Sequence, residues 1–159
     1  MKNNKTVYVP MAVDIIHSGH LNIINKAKKY GKIIIGLFTD TAIAEYKSLP
    51  LINYNQRLEI IKNIKGIYKI VKQDTWDYEK NLLQIKPNYL IHGDDWRVGV
   101  QKKTRQKVIN ILRKIKGKLI EIPYTKDISS SSIHNKLNIG LKIKESRVSL
   151  LKRIIGAKD

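Results

Sequence analysis

Asp14-Ile15-Ile16-His17-Ser18-Gly19-His20 is the stretch from which the rest of the sequence can be read. Before it lies an apolar run with strand character, Val7-Tyr8-Val9-Pro10-Met11. After it, apolar residues Leu21, Ile23, Ile24 and Ala27 return at helical spacing as far as Tyr30. Two imidazoles, three residues apart with a glycine between them, therefore stand where a strand hands over to a helix N-terminus. Such a terminus offers backbone N–H groups and a partial positive charge, which suits phosphate. Gly19 lets a phosphate approach the backbone. Two histidines can donate hydrogen bonds to phosphate oxygens as charge builds on them. Two other readings compete. One is a plain loop with two hydrogen-bonded histidines. The other is half of a zinc site, whose remaining ligands, in a chain without cysteine, would be His92, Asp94 or Asp95.

Outward from this stretch, strand and helix alternate. Lys5–Met11 reads as a strand, Gly19–Tyr30 as a helix stopped by Gly31, and the apolar Lys32–Phe38 as a strand covered on both faces. Thr39-Asp40 caps a short helix to Glu45, and a loop with Pro50 follows. Tyr54–Ile64 reads as a helix with Leu58, Ile61 and Ile64 inward, ended by Gly66. Ile67–Lys72 is a strand, Trp76–Ile85 a helix, and Asn88–His92 a strand delivering the loop Gly93-Asp94-Asp95-Trp96. Gln101–Lys116 is a basic helix with Val108, Ile109, Leu112 and Ile115 as its apolar face. Lys118–Tyr124 is a strand, and the serine run 129–132 enters a last helix through Leu137. This alternation predicts an α/β fold, a Rossmann-like open parallel sheet of about five strands with helices on both faces. Ligands bind beyond the carboxyl ends of such strands, so the loops at 17–20, 93–96 and 129–132 are expected to share one site.

The chain has 159 residues, enough for one domain with a real core, expected over 1–140. Residues 141–159 read as a helical tail or linker, since 146–155 begins a fresh amphipathic pattern. The absence of cysteine excludes a disulfide framework and a thiolate nucleophile. No signal-peptide h-region and no membrane-length apolar run is present, so a soluble cytoplasmic protein is expected. The net charge is +18, from 31 Lys+Arg against 13 Asp+Glu, which suggests a polyanionic partner. The lysines, however, are spread along the whole chain and aromatics are only 7%, so a small phosphorylated substrate fits better than nucleic acid. A basic nucleic-acid module would instead bind RNA or DNA in a salt-sensitive way that survives loss of both histidines. Neither Gly-x-Gly-x-x-Gly nor Gly-x-x-x-x-Gly-Lys-Ser/Thr occurs, which removes a dinucleotide fingerprint and a P-loop.

These residues resemble a known superfamily. His17-Ser18-Gly19-His20 is similar to the His-x-Gly-His signature of nucleotidylyltransferases, and Ile128-Ser129-Ser130-Ser131 to their Ile-Ser-Ser/Thr-Thr signature. Tyr54-Asn55-Gln56-Arg57 resembles the Tyr-x-x-Arg of their middle helix, and Gly93-Asp94-Asp95-Trp96 the Gly-Asp-Asp-Trp of glycerol-3-phosphate cytidylyltransferases. Over nearly the whole chain, residues 14–20, 36–50 and 92–108 look like the cytidylyltransferase domain of phosphonate biosynthesis, often fused to phosphoenolpyruvate mutase. The tail resembles the entry into that mutase, so the chain is expected to be either the front part of a longer protein with a downstream domain or a separated copy of that part. Four features depart from the pattern: Tyr124 or Lys126 where relatives carry Arg, Ser131 where most have Thr, His134 where many have Arg or Lys, and no glycine in Pro10–Val13.

The resemblance implies transfer of CMP from CTP to a small phosphonate or phosphomonoester, with 2-aminoethylphosphonate favoured and pyrophosphate released. It implies His17, His20 and Lys47 as catalytic residues. His17 and His20 would meet the α- and β-phosphates, and Lys47 with Arg57 would hold the reacting phosphoryl groups. Ser129, Ser130 and Ser131 would hold the β/γ-phosphates at a helix N-terminus. Met11, Ala12, Asp14, Gly19, Gly93 and Asp94 complete the nucleotide-binding set. Magnesium would bridge phosphate oxygens, with Asp94 as its partner. Asp95, Trp96, Lys102, Lys103, Arg105 and Tyr124 would bind the acceptor. A homodimer is expected, as is common in the family. An adenylyltransferase of the same fold stays open, because residue types do not reveal the base.

Overall fold

Along the first two strands, alternate residues face opposite sides and both sides are buried. Val7, Val9 and Met11 join Ile33, Ile35 and Leu37 in one core cluster, while Tyr8, Ile34 and Phe38 belong to another. A period of two with apolar residues in both phases is what a sheet covered on both faces requires. The computed structural model describes residues 4–45, 49–123, 125 and 128–138. Strands β1 (Thr6–Met11), β2 (Lys32–Phe38), β3 (Ile67–Gln73), β4 (Tyr89–Gly93) and β5 (Lys118–Ile122) lie in the order β3-β2-β1-β4-β5, with every neighbouring pair parallel. Register runs from Thr6 opposite Lys32 to Met11 opposite Leu37, and Val7 lies opposite Tyr89.

Helices α1 (Ser18–Ala27) and α3 (Tyr54–Lys62) cover the first face through Ile24, Ala27 and Ile61. Helices α2 (Asp40–Ala44), α4 (Glu79–Ile85) and α5 (Lys102–Lys114) cover the second through Ile43, Leu82 and Leu112. A sixth helix, α6, spans residues 130–138. The chain builds outward from β1 to β3, then resumes with β4 on the other side of β1. The switch point therefore falls between the carboxyl ends of β1 and β4. Gly36 leaves room for the Tyr8 hydroxyl, which would stand 2.0 Å from an added Cβ. That hydroxyl is buried in a polar cluster with Gln73 and Asn81.

The structure corrects several sequence-based boundaries. Helix α1 ends at Ala27, and Gly31 closes the turn that follows rather than the helix. Helix α3 stops at Lys62, where Asn63 caps it, and Gly66 belongs to the turn before β3. The helix expected from Trp76 begins only at Glu79. Trp76 is drawn onto Phe38, with ring centroids 4.4 Å apart, and donates to the Ala42 carbonyl at 2.5 Å. The loop after β4 is wound into two short 3₁₀ segments, Asp94–Arg97 and Gly99–Gln101. Ile111, not Ile109, is buried with Val108 and Leu112 on α5. The tail beyond residue 138 lies outside the described residues. Among the described residues no helix is long and apolar enough to cross a membrane.

Candidate active site

His17 is the N-cap of α1 and has extended backbone geometry. The Gly19 N–H donates to His17 Nδ1 at 3.1 Å, and the His17 N–H donates to His20 Nδ1 at 3.3 Å. This reciprocal arrangement is a capping box built from imidazoles instead of a hydroxyl and a carboxylate. A ring nitrogen that accepts a hydrogen bond carries no proton, so both neutral rings carry theirs on Nε2. The backbone thus fixes the tautomer and leaves each ring's donor end directed away from the helix. The rings lie 3.9 Å apart, tilted by 36°. Burial pushes the His17 pKa below the ordinary histidine value, which favours this neutral donor form. Gly19 is required by the same geometry, because a Cβ there would stand 2.9 Å from the His17 ring.

Both histidines line a cavity of about 400 Å³ at the carboxyl ends of β1 and β4, the switch point of the sheet. Met11 and Ala12 enter it from β1, His92 and Gly93 from β4, and Thr125 and Ser129–Ser131 from the segment after β5. Ser129 Oγ accepts from the Ser132 N–H at 2.9 Å and so caps α6. Ser130 and Ser131 lie in the first turn of α6, where backbone N–H groups have no intrahelical acceptor. Two helix N-termini, those of α1 and α6, therefore face one cavity, and each brings a partial positive charge. Asn22 on α1 holds the α6 approach by donating to Thr125 Oγ1 at 3.2 Å.

Of the residues singled out in the sequence, the structure gathers Met11, Ala12, His17, Gly19, His20, Gly93, Asp95 and Ser129–Ser131 around this cavity. Others it places elsewhere. Arg57 is completely buried, with 0% exposure, and does not reach the cavity. Its Nη2 donates to Asp40 at 2.6 Å, its Nη1 to the Ala12 carbonyl at 2.5 Å and its Nε to the Ile52 carbonyl at 2.9 Å. The guanidinium therefore steadies the β1 loop from behind, which corrects the expectation that it holds phosphate. Asp14 is also buried and outside the lining, bonded to Ile52 N–H and to His134.

Trp96 is 1% exposed and turns inward, donating to Glu121 at 2.8 Å. Arg105 grips both oxygens of the same carboxylate at 2.8 and 3.0 Å. Arg105 first, then Arg97 and Trp96, hold the Glu121 carboxyl down at about 2. The acceptor roles expected of Trp96 and Arg105 are thus replaced by a structural one. Lys102 and Lys103 lie on the exposed first turn of α5, outside the lining, and Asp94 is outside it as well. Lys47 and Tyr124 fall outside the described residues. Among the described residues no three His, Asp or Glu side chains gather as metal ligands, so the zinc reading of His17 and His20 has no ligand set.

Sequence reasoning passed over Phe38, Trp76, Gln101 and Thr125 and weighed His92 only as a zinc ligand, and all five line the cavity. His92 lies flat on Trp96, with centroids 3.8 Å apart and planes 6° from parallel. Burial lowers its pKa, and its Nδ1 stands 2.9 Å from the Gly93 carbonyl, which can only accept. The signal for Phe38 and His92 was their place at strand carboxyl ends. Trp76 gave none, since it reads as part of a helix.

Residues 12–136 match the family model described as cytidylyltransferase-like. The chain is similar to the FAD synthase of Methanobrevibacter smithii, at 32% identity over 111 residues that cover 67% of this chain and 71% of that protein. It is also similar to the ethanolamine-phosphate cytidylyltransferase of Dictyostelium discoideum, at 28% identity over 129 residues, which are 80% of this chain but 35% of that protein. A solved structure titled as the lipopolysaccharide core biosynthesis protein from Thermoplasma volcanium superposes with a TM-score of 0.66 at 24% identity, covering 77% of this chain and 98% of that one. That likeness speaks for the fold.

Proposed function

The chain belongs to the cytidylyltransferase-like family, and from that premise we propose that it transfers CMP from CTP to a small phosphonate or phosphomonoester, 2-aminoethylphosphonate first among them. An oxygen of the acceptor dianion attacks the α-phosphorus in line. The new P–O bond forms as the α–β bridging P–O bond breaks, and pyrophosphate leaves with the electron pair. The acceptor is itself the nucleophile, so the protein has to align the two anions and stabilise charge on the phosphate oxygens.

The observation that carries this reading is the meeting of two helix N-termini and two imidazoles on one cavity. In it, His17 and His20 donate to the α- and β-phosphates, and the first turn of α6 receives the β- and γ-phosphates. Lys47, outside the described residues, is assigned in this reading to hold the reacting phosphoryl group. Magnesium, when bound, neutralises phosphate charge; with Asp95 as the carboxylate on the cavity wall, the ion would be held chiefly by the phosphates themselves. The amine end of the acceptor needs an acid or an aromatic face. Trp96 is buried away from the cavity, and its place is taken by Trp76 and Phe38, with Asp95 as the acid. The reading puts the reaction in the cytoplasm and the protein in a homodimer; sedimentation as a monomer at low micromolar concentration would remove the dimer.

The test is a panel of acceptors with purified protein, magnesium and either CTP or ATP. The expected outcome is a CMP conjugate of 2-aminoethylphosphonate plus pyrophosphate. A higher kcat/KM with glycerol 3-phosphate or phosphocholine would end the phosphonate assignment and leave cytidylyl transfer. Adenylyl transfer is the second reading, favoured by the 32% identity to an FAD synthase. Faster pyrophosphate release from ATP than from CTP would put it first.

A further inference from the structure

We infer that Asp14 and His134 form a latch that holds the N-terminus of α6 in register with His17 and His20, and that this pair, from outside the cavity, sets affinity for the triphosphate chain. For the identity of the ligand this rests on the nucleotidyl-transfer reading; the contact itself is a matter of geometry. Asp14 precedes His17 by three residues in the loop leaving β1, and His134 lies on α6 one turn beyond Ser130. His134 Nε2 stands 2.7 Å from Asp14 Oδ2, and the other carboxylate oxygen accepts from the Ile52 N–H at 3.0 Å. Asp14 is only 8% exposed, and neither residue lines the cavity.

A buried carboxylate beside an anion site would repel phosphate if it faced it. Here both oxygens are turned onto protein donors, so its charge is used to hold other elements in place. α6 is one rigid body over this distance, and what fixes His134 also fixes Ser130 and Ser131 on the preceding turn. Movement of about 1 Å at such a terminus is enough to spoil its aim at a phosphate. The tie extends further. Ile52, held by Asp14, offers its carbonyl to Arg57, which in turn holds Ala12 on the cavity wall. One carboxylate therefore joins α6, the β1 loop and the entry to α3. His134 and Asp14 are positioning residues, acting through the helix terminus and the loop that they hold.

The experiment uses the full chain and four variants: His134→Ala, His134→Gln, Asp14→Ala and the double Ala variant. Binding of inorganic tripolyphosphate is read by calorimetry, KM and kcat for the nucleotide by pyrophosphate release, and stability by thermal melting. His134→Ala is expected to weaken tripolyphosphate binding and raise the nucleotide KM about tenfold, the loss of one charge-assisted hydrogen bond, with a smaller change in kcat. His134→Gln, which retains an N–H donor, should recover most of this. The two Ala substitutions should not add, because each removes the same contact. Where Asp14→Ala fails to fold, the His134 pair decides. A lowered melting temperature with unchanged tripolyphosphate affinity and KM would overturn the latch, as would fully additive losses, or no tripolyphosphate binding by the unaltered protein. If binding responds to His134→Ala but no triphosphate yields a transferred nucleotidyl group, the latch stands and the nucleotidyl-transfer reading falls.

Discussion

Replacing His17 by alanine removes a helix cap and a donor together, whereas asparagine removes only the donor. The cap is the 3.1 Å bond from the Gly19 N–H to Nδ1. Losing an N-cap acceptor costs about 1 kcal/mol, which in a domain of this size is roughly 3–4 °C in melting temperature. The donor is Nε2–H on the cavity side. One preorganised donor to a developing oxyanion is worth about 3–4 kcal/mol of barrier, or roughly 10²–10³ in kcat. His17→Ala should therefore lose both. His17→Asn should melt close to the unaltered protein, since asparagine is among the best N-caps, yet remain slow because its shorter side chain presents no donor at the former Nε2 position. Thermal melting and steady-state pyrophosphate release on the two variants separate the effects. Recovery of kcat in His17→Asn would refute the reasoning and leave His17 a cap alone. A rise in KM with unchanged kcat would mean that the ring binds the ground state only. The pH dependence carries the same sign. Burial holds the folded His17 below its ordinary 6.5, so its contribution to stability is complete above pH 6.5 and is lost as pH falls through the lowered value. Asparagine should abolish that acid limb.

Three further outcomes are expected. Arg57→Ala should destabilise by about 3–5 kcal/mol in denaturant titration, because Asp40 and two backbone carbonyls lose a fully buried partner; loss of kcat with unchanged stability would return Arg57 to the phosphate. Glu121, held at about 2 against an ordinary 4.5, contributes stability that is present above pH 4.5 and is lost as pH falls toward 2. Glu121→Gln should lower stability at pH 7 and flatten the acid limb; a parallel limb would contradict the assignment. Trp76→Leu should raise KM for 2-aminoethylphosphonate about fivefold, the loss of one cation–π contact, with KM for the nucleotide unchanged. An equal rise for glycerol 3-phosphate, which carries no cation, would show that Trp76 only shapes the wall.

The fold was legible because its strands are short apolar runs at regular intervals, and β2 agrees residue for residue with the run Lys32–Phe38. The cavity was legible to the extent that strand ends in a parallel sheet announce themselves, which brought in His17, Gly93 and Ser129–Ser131. What was not legible is which way a side chain turns once it leaves a strand end. Asp94, Asp95 and Trp96 are consecutive and equally polar or aromatic candidates, yet the 3₁₀ turn puts only Asp95 on the cavity. Trp96 goes to Glu121, which is 25 positions away and gives no local signal. Arg57 misleads for the same reason. A cation in a phosphate-binding protein is read toward phosphate, but Asp40, fourteen residues before the helix that carries Arg57, claims it from inside.

That pattern explains how a site for polyanions tolerates carboxylates around it. Asp14 is bound by His134 and Ile52 N–H, Asp40 by Arg57 and Tyr54 N–H, and Glu121 by Arg97, Arg105 and Trp96. Each is neutralised by donors that face away from the cavity, and each fixes a loop that shapes it. Among the described residues that line the cavity, the anion-attracting field is then left to the two helix termini and the imidazole N–H groups. Fixed dipoles of this kind do not have to reorganise as charge moves from the α-phosphate to the leaving pyrophosphate, and that suits them to the transition state more than to the substrate. Asp95, on the cavity wall among the described residues and 3.7 Å from His92 Nδ1, is the exception. A carboxylate there weakens the pull on phosphate, so its presence is accounted for only if something positive comes to it, the acceptor's amine or a phosphate-borne magnesium. Asp95→Asn separates the two. Loss of preference for 2-aminoethylphosphonate over glycerol 3-phosphate at unchanged magnesium dependence assigns it to the amine, and a raised magnesium requirement with every acceptor assigns it to the metal. A variant unchanged in both would leave the carboxylate unexplained and refute the argument.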